Sequence, residues 1–173
     1  MSLETLQIQD KLVETFGESV FHFNQEKDLF AFEVAADKIT AVVLFLKNDP
    51  TLRFHFLTDL CGIHYPDNVV ERQFAVVYHL HNWHENKRIK IKTFINGENP
   101  EIKTLTTIFP SSNWMERETY DFYGINFIGH PQLKRILNMD EMTSFPMRKE
   151  FPLEDGGRTD KDDRFFGRTP QNK

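Results

Sequence analysis

The stretch QFAVVYHLHNWHENKRIKIKTFI, residues 73–95, decides the fold class. Its first half puts Phe74, Val76, Tyr78 and Leu80 at every second position. Its second half does the same with Ile89, Ile91, Thr93 and Ile95, set against Arg88, Lys90 and Lys92. Side chains alternate across a strand, so a period of two means extended chain with one apolar and one wet face. The polar segment 82–87 between the two runs reads as the turn of an antiparallel hairpin.

Upstream, Leu3, Leu6, Asp10 and Val13 stand at helical spacing, with Ile8, Leu12 and Phe16 alongside. Ser2 is a candidate cap and Gly17 a stop. Two short β runs, 20–24 and 29–34, flank a polar turn at 25–28. Asp37 reads as an N-cap, followed by Ile39, Val42, Val43 and Leu46 at i, i+3, i+4 and i+7, an amphipathic helix stopped before Pro50. Phe54 and Phe56 predict a third strand. Downstream, Asn99 and Pro100 open a predicted short helix carrying Ile102, Leu105 and Phe109. Asn113 and Glu116 resemble a capping box for a helix over 114–123, with Gly124 as its C′ residue. The order helix, two strands, helix, three strands, helices predicts an α+β fold, a mostly antiparallel sheet with helices packed on one face. Residues 1–153 are expected to form a single domain and 154–173 an extended charged C-terminal tail.

The chain has 173 residues, enough for a sizeable core, and its 17 Phe make that core aromatic. A net charge of −5 argues against a nucleic-acid binder. The single cysteine, Cys61, excludes a disulfide framework and suits a reducing compartment. It also excludes an iron–sulfur cluster held by this chain alone, which needs about four thiolates. Cys61 is expected as a small buried apolar residue. The longest apolar run, 39–46, is far short of the ~20 residues that span a bilayer. The first residues have neither signal-peptide nor transit-peptide character, so the chain is expected to stay where it is made.

The chemistry-bearing stretch is 116–152. It holds Glu-Arg-Glu at 116–118, Asp121, Gly124, Gly-His-Pro at 129–131, Arg-Ile-Leu at 135–137 and Pro-Met-Arg-Lys-Glu-Phe-Pro at 146–152. Acid–Arg pairs, aromatics, Gly and Pro without a nucleophile, metal or nucleotide motif suit a charged docking surface better than a reaction centre. This ordered string resembles the C-subunit family of respiratory complex I, the proton-pumping NADH–quinone oxidoreductase. Tyr120, Met142, Ser144 and Phe145 depart from the residues usual there. Upstream of residue 110 the likeness is one of length and texture.

The resemblance implies a cofactor-free structural subunit of the peripheral arm, with FMN, iron–sulfur clusters and quinone carried by other subunits. It implies partners in the quinone-pocket subunit and in the subunit holding the last iron–sulfur cluster. The implied place is the cytoplasmic side of the bacterial inner membrane, peripheral and without a span of its own. The implied interface residues are Glu116, Arg117, Glu118, Asp121, Gly124, Gly129, His130, Pro131, Arg135, Pro146, Arg148, Lys149 and Pro152; separately, the adjacent aromatics Phe165 and Phe166 in the charged tail are expected to anchor it in a partner's groove.

Each has a plainer reading. Glu116, Arg117, Glu118 and Asp121 could serve as a general acid–base set, but nothing nearby supplies a nucleophile. They could be a solvated helix face with an i, i+4 pair between Arg117 and Asp121. His130 reads as a loop residue bonding the backbone. Arg135, Arg148 and Lys149 suit bidentate pairing with a partner's carboxylates. The rival reading of the whole chain is a small metal-binding enzyme or binding module using His79, His81 and His84. His79 and His81 share the outer face of one strand, and zinc or copper takes imidazoles so placed.

Overall fold

The alternating run at 73–95 forms the centre of a five-stranded sheet in the computed structural model, which describes residues 3–27 and 29–151. The strands are β1 Val20–Glu26, β2 Leu29–Val34, β3 Phe56–His64, β4 Phe74–Asn82 and β5 Lys87–Ile95, in the order β1-β2-β5-β4-β3. All neighbours are antiparallel except β2 and β5, which run parallel. Among the described residues three α-helices accompany it: α1 Leu3–Phe16, α2 Ile39–Asn48 and α3 Ser112–Tyr123. β6 Glu101–Lys103 and β7 Asn126–Ile128 form a second, two-stranded parallel sheet.

Register explains the core. Phe30 lies opposite Ile89, Phe32 opposite Ile91, and Tyr78 between Ile91 and Leu60. These side chains share one face and are buried. Ile8 and Leu12 of α1 and Ile39, Val42, Val43 and Leu46 of α2 complete the same apolar cluster. Each such side chain contributes about 1.5–3 kcal/mol on leaving water. α3 lies along β3, and Gly62 makes that approach possible. A Cβ there would come 2.7 Å from the Tyr123 ring and 3.0 Å from Thr119 Cγ2.

The architecture agrees with the α+β reading, with local differences. In α1 the buried stripe is Ile8 and Leu12, while Leu6 and Val13 are exposed. Asp37 does not cap α2. Lys38 holds the N-cap position without a side-chain bond, and Asp37 pairs with Lys38 at 3.3 Å. The third strand begins at Phe56, not Phe54, because Phe54 turns wholly into the core ahead of it. The helix predicted after Pro100 is a strand, β6. Ile102, Leu105 and Phe109 are buried as expected, but β6 pairs with β7, 25 residues downstream (Glu101 with Asn126), a contact outside any local pattern. α3 starts at Ser112, with no side-chain cap from Ser111. Cys61 is half-buried on the outer face of the edge strand β3, opposite Val77. The tail beyond residue 151 lies outside the described residues, as does Ser2.

Candidate functional site

The last turn of α3 is tied to the irregular chain that follows it. Asp121 is fully buried. Its Oδ2 accepts the backbone N–H groups of Ile136, Leu137 and Asn138 at 3.0, 2.8 and 2.9 Å. Its Oδ1 accepts Arg135 Nη1 at 2.7 Å and Asn138 Nδ2 at 3.0 Å. Burial alone would raise this carboxyl, but the N–H groups of Asn138 and Leu137, Arg135 and the N–H of Ile136 outweigh it. Together they hold the carboxyl far below the ordinary carboxylate range. Asp121 is thus a buried anion with its lone pairs filled.

The same segment closes the helix. An α-helix leaves its last carbonyls without partners and carries negative charge at that end. Arg135 Nη1 donates to Asp121 O at 2.9 Å, Met147 N–H to Phe122 O at 3.1 Å and Arg148 Nε to Tyr123 O at 2.8 Å. Gly124 N–H donates to Tyr120 O, and Gly124 turns the chain at φ 71°. A Cβ there would meet the Phe145 ring at 2.5 Å. Phe145 is in turn covered by both guanidinium groups, Arg135 at 5.0 Å and Arg148 at 4.8 Å from its centroid. Arg135 Nη2 also donates to Met142 O and Ser144 O at 2.6 and 3.0 Å. Further along, Lys149 N–H donates to Nδ1 of the buried His64, whose ring stacks on Phe74 at 4.4 Å.

The other end of α3 is anchored by Glu116, also fully buried. It accepts Thr104 Oγ1 at 2.5 Å and Leu105 N–H at 2.7 Å, joining the helix to the segment after β6. Burial pushes its carboxyl up, partly offset by those bonds. Arg117 donates from Nε to Lys134 O at 3.2 Å and from Nη2 to Arg135 O at 3.1 Å. His130 Nε2 donates to Asn113 O at 3.2 Å while Nδ1 accepts Gln132 N–H at 3.0 Å, so both ring nitrogens bond the backbone.

These buried charges therefore tie the irregular segment 129–151 to α3. That segment presents large apolar side chains to solvent: Leu137, Met139, Met147 and Phe151 are 64, 73, 44 and 39% exposed. Residues 32–156 match the family model for the respiratory-chain NADH dehydrogenase 30 Kd subunit. The chain belongs to that family.

Curated relatives agree. The NADH-quinone oxidoreductase C 2 subunit of Rhizobium meliloti (strain 1021) is 40% identical over 143 residues, 82% of this chain and 76% of the relative. The NADH-quinone oxidoreductase C subunit of Roseiflexus sp. (strain RS-1) is 35% identical over 172 residues, 98% of each chain. Among solved structures, the trypsin-resistant fragment (1–134) of Nqo5 superposes with a TM-score of 0.61 at 26% identity, covering 75% of this chain and 99% of the fragment. A chain of the membrane-bound sulfane sulfur reductase, an archaeal respiratory membrane complex, shares the fold at a TM-score of 0.72 and 24% identity, covering 87% of this chain and 86% of that chain. The family match extends well upstream of the motif string at 116–152.

Within this C-subunit fold, the motif residues gather around the two ends of α3, but most face inward. Glu116, Arg117 and Asp121 are buried, so the exposed charged face expected from their types is not there; Glu118 alone of that set is exposed. No Glu116 capping box forms, because its carboxylate turns to Thr104 and Leu105. The expected Arg117–Asp121 pair is replaced by Arg135–Asp121, since Arg135 reaches both the carboxylate and the helix-end carbonyl. Gly129 turns the chain at φ 84°, and His130 bonds the backbone as predicted. Pro131 and Lys149 are exposed, whereas Pro146 is half-buried. Pro152, Phe165 and Phe166 lie outside the described residues. His79, His81 and His84 are not gathered. His79 faces Asp59 at 3.7 Å, His81 approaches Asn86, and no group of three or more His, Cys, Asp or Glu among the described residues is placed to hold a metal ion. Burial, with Asp59 and Glu118, raises the Cys61 thiol, so it is not an activated thiolate. Sequence reasoning missed His64 and Asn138; their contacts to Lys149 and Asp121 span 85 and 17 residues and leave no local signal.

Proposed function

We propose that this chain is a structural docking subunit of the peripheral arm of a proton-translocating NADH–quinone oxidoreductase, without cofactor or active site of its own. It holds the quinone-pocket subunit and the subunit with the last iron–sulfur cluster at a fixed separation, so that electrons from NADH reach quinone. Its place is the cytoplasmic side of the bacterial inner membrane, attached through other subunits. FMN, iron–sulfur clusters and quinone belong to those subunits. No helix among the described residues is long and apolar enough to cross a membrane.

One observation carries this reading: the segment after α3 combines buried side-chain anchors with exposed apolar side chains. A loop this long without regular structure is uncommon unless it works. Its buried anchors fix the geometry, and Leu137, Met139 and Met147 are of the kinds that fill a partner's pockets.

The test is affinity isolation of the tagged chain from gently solubilised membranes, beside a Leu137→Asp/Met139→Asp variant. The wild type brings down the other arm subunits with their flavin and iron–sulfur absorbance. The variant folds normally, because surface changes rarely shift stability by more than ~0.5 kcal/mol, but recovers little complex. Intact recovery with the variant defeats the proposal, as does a visible chromophore in the purified chain alone.

A further inference from the structure

A second surface lies on the sheet face turned away from the core, where β5 places Arg88, Lys90 and Lys92 at alternate positions. Beside them on β4 stand His81, opposite Arg88, and His79, opposite Lys90. Lys27, held at φ 55° in the β1–β2 turn, joins them along the rim of an open hollow with Asn86. In a chain of net charge −5 this is a local excess of cations. One of them, Lys90, is occupied by Glu26. Arg88 and Lys27 make no ion pair among the described residues; Lys92 lies opposite Glu33, 5.7 Å from the Phe94 ring, and close enough to Glu26 for its charge to help lower that carboxyl.

The shape of this charge is as informative as its sign. Anions bound it on both sides: Glu26 and Glu33 on β1 and β2, and Asp59 on β3, 3.7 Å from His79. Glu33 is itself engaged by Arg72 at 2.8 Å. Neighbouring strands lie about 4.8 Å apart, so the lane, with its cations on β5 and imidazoles beside them on β4, is about one polypeptide wide. Along it, alternate side chains are spaced about 6.6 Å apart, the spacing of alternate side chains on any extended chain. A broad anionic surface such as a bilayer would meet the flanking carboxylates. A nucleic-acid backbone would need a longer track of cations.

We infer that this lane is a docking site for a single extended acidic segment of a neighbouring subunit, with Asp or Glu at alternate positions. Arg88 takes one carboxylate in a bidentate pair at one end, Lys27 a second at the rim, and Lys92 a third further along β5. The site is separate from the loop that follows α3. It rests on the assembly reading only for the source of the segment.

Fluorescence anisotropy of the full chain with a labelled, end-blocked hexaglutamate tests the site directly. Binding is expected, falling as salt rises toward ~0.15 M. Lys27→Glu/Arg88→Glu is expected to weaken it about tenfold or more. Lys103→Glu, an exposed cation on β6, is expected to leave it unchanged. Equal binding of hexaglutamine, insensitivity to the double variant, or preferential binding of phosphatidylglycerol vesicles overturns the inference. In the membrane complex, a photo-crosslinker at position 27 should capture an acidic stretch of an adjacent subunit; incorporation with capture of lipid alone, or of nothing, contradicts it. Failure of the chain to incorporate at all defeats the subunit reading instead, and the peptide measurement still decides the lane.

Discussion

Replacing Asp121 by Ala removes the centre of the knot that holds 135–148 to α3. The carboxylate accepts five hydrogen bonds, one of them from Arg135, whose side chain is only 8% exposed. Bonds to a charged group are worth about 1.5–3 kcal/mol each, but they do not add, because the freed segment moves out to water. The better guide is the cost of stripping one partner from a buried ion pair, about 3–5 kcal/mol. The loss falls on the segment first, since Asp121 bonds directly to Arg135, Asn138 and the N–H groups of 136–138. Amide exchange of Ile136, Leu137 and Asn138 should therefore accelerate by about a hundredfold to several thousandfold, a factor of ten for each ~1.4 kcal/mol. Hydrogen exchange read by mass spectrometry or NMR is the assay. Acceleration below tenfold would refute the reasoning and show that backbone packing, not the carboxylate, holds the segment. pH gives an independent check. The folded carboxyl is depressed, so its stabilisation is fully present above the unfolded value of about 3.9 and is lost as pH falls through the folded one. Asp121→Asn should abolish that part of the acid dependence.

Glu116 is expected to behave in the opposite way. Its carboxyl is raised, so the ionised form opposes folding and stability from this group falls as pH climbs above the ordinary carboxylate value. Glu116→Gln, whose amide oxygen still accepts Leu105 N–H while Thr104 turns to Thr106, should cost less than ~1 kcal/mol in urea titrations and flatten that slope; Glu116→Ala should cost about 1–3 kcal/mol. Gly124→Ala should lower stability by more than ~1 kcal/mol, from its left-handed backbone and the Phe145 clash, and Phe145→Ala should relieve part of it in a double-mutant cycle. Arg117→Glu should destabilise the isolated chain by about 2–5 kcal/mol, since it puts a carboxylate beside two carbonyls, whereas Glu118→Lys should leave the melting temperature within error.

What could be read from the sequence follows the range of the forces involved. The β4–β5 hairpin and the stripe of α2 were legible because period two and period 3.6 are local statements about which face is buried. Gly124 and Gly129 were legible because their left-handed backbone is a property of one residue. β6 was not. Ile102, Leu105 and Phe109 have helical spacing, but pairing with β7 overrides propensity in so short a segment. Nor was the burial of Glu116, Arg117 and Asp121. Charged types are expected outside, and the groups that make their burial tolerable come from Thr104, Leu105 and 134–138. The string of motif residues marked the right place, yet most of its charges build the surface from beneath. The side chains that form it, Leu137, Met139 and Met147, carry no signature beyond being apolar in a Gly- and Pro-rich stretch.

Methionine oxidation footprinting tests the docking role most directly, because two of those side chains report on their own exposure. Met139 is 73% and Met147 44% exposed in the isolated chain, while Met115 is half-buried beside the core. Brief peroxide treatment followed by mass spectrometry should oxidise Met139 fastest in the free chain. In the membrane-isolated complex Met139 and Met147 should be strongly protected, with Met115 unchanged. Oxidation of Met139 at the same rate in both states would contradict the account, since the segment anchored after α3 would then face solvent in the assembly it is held to join.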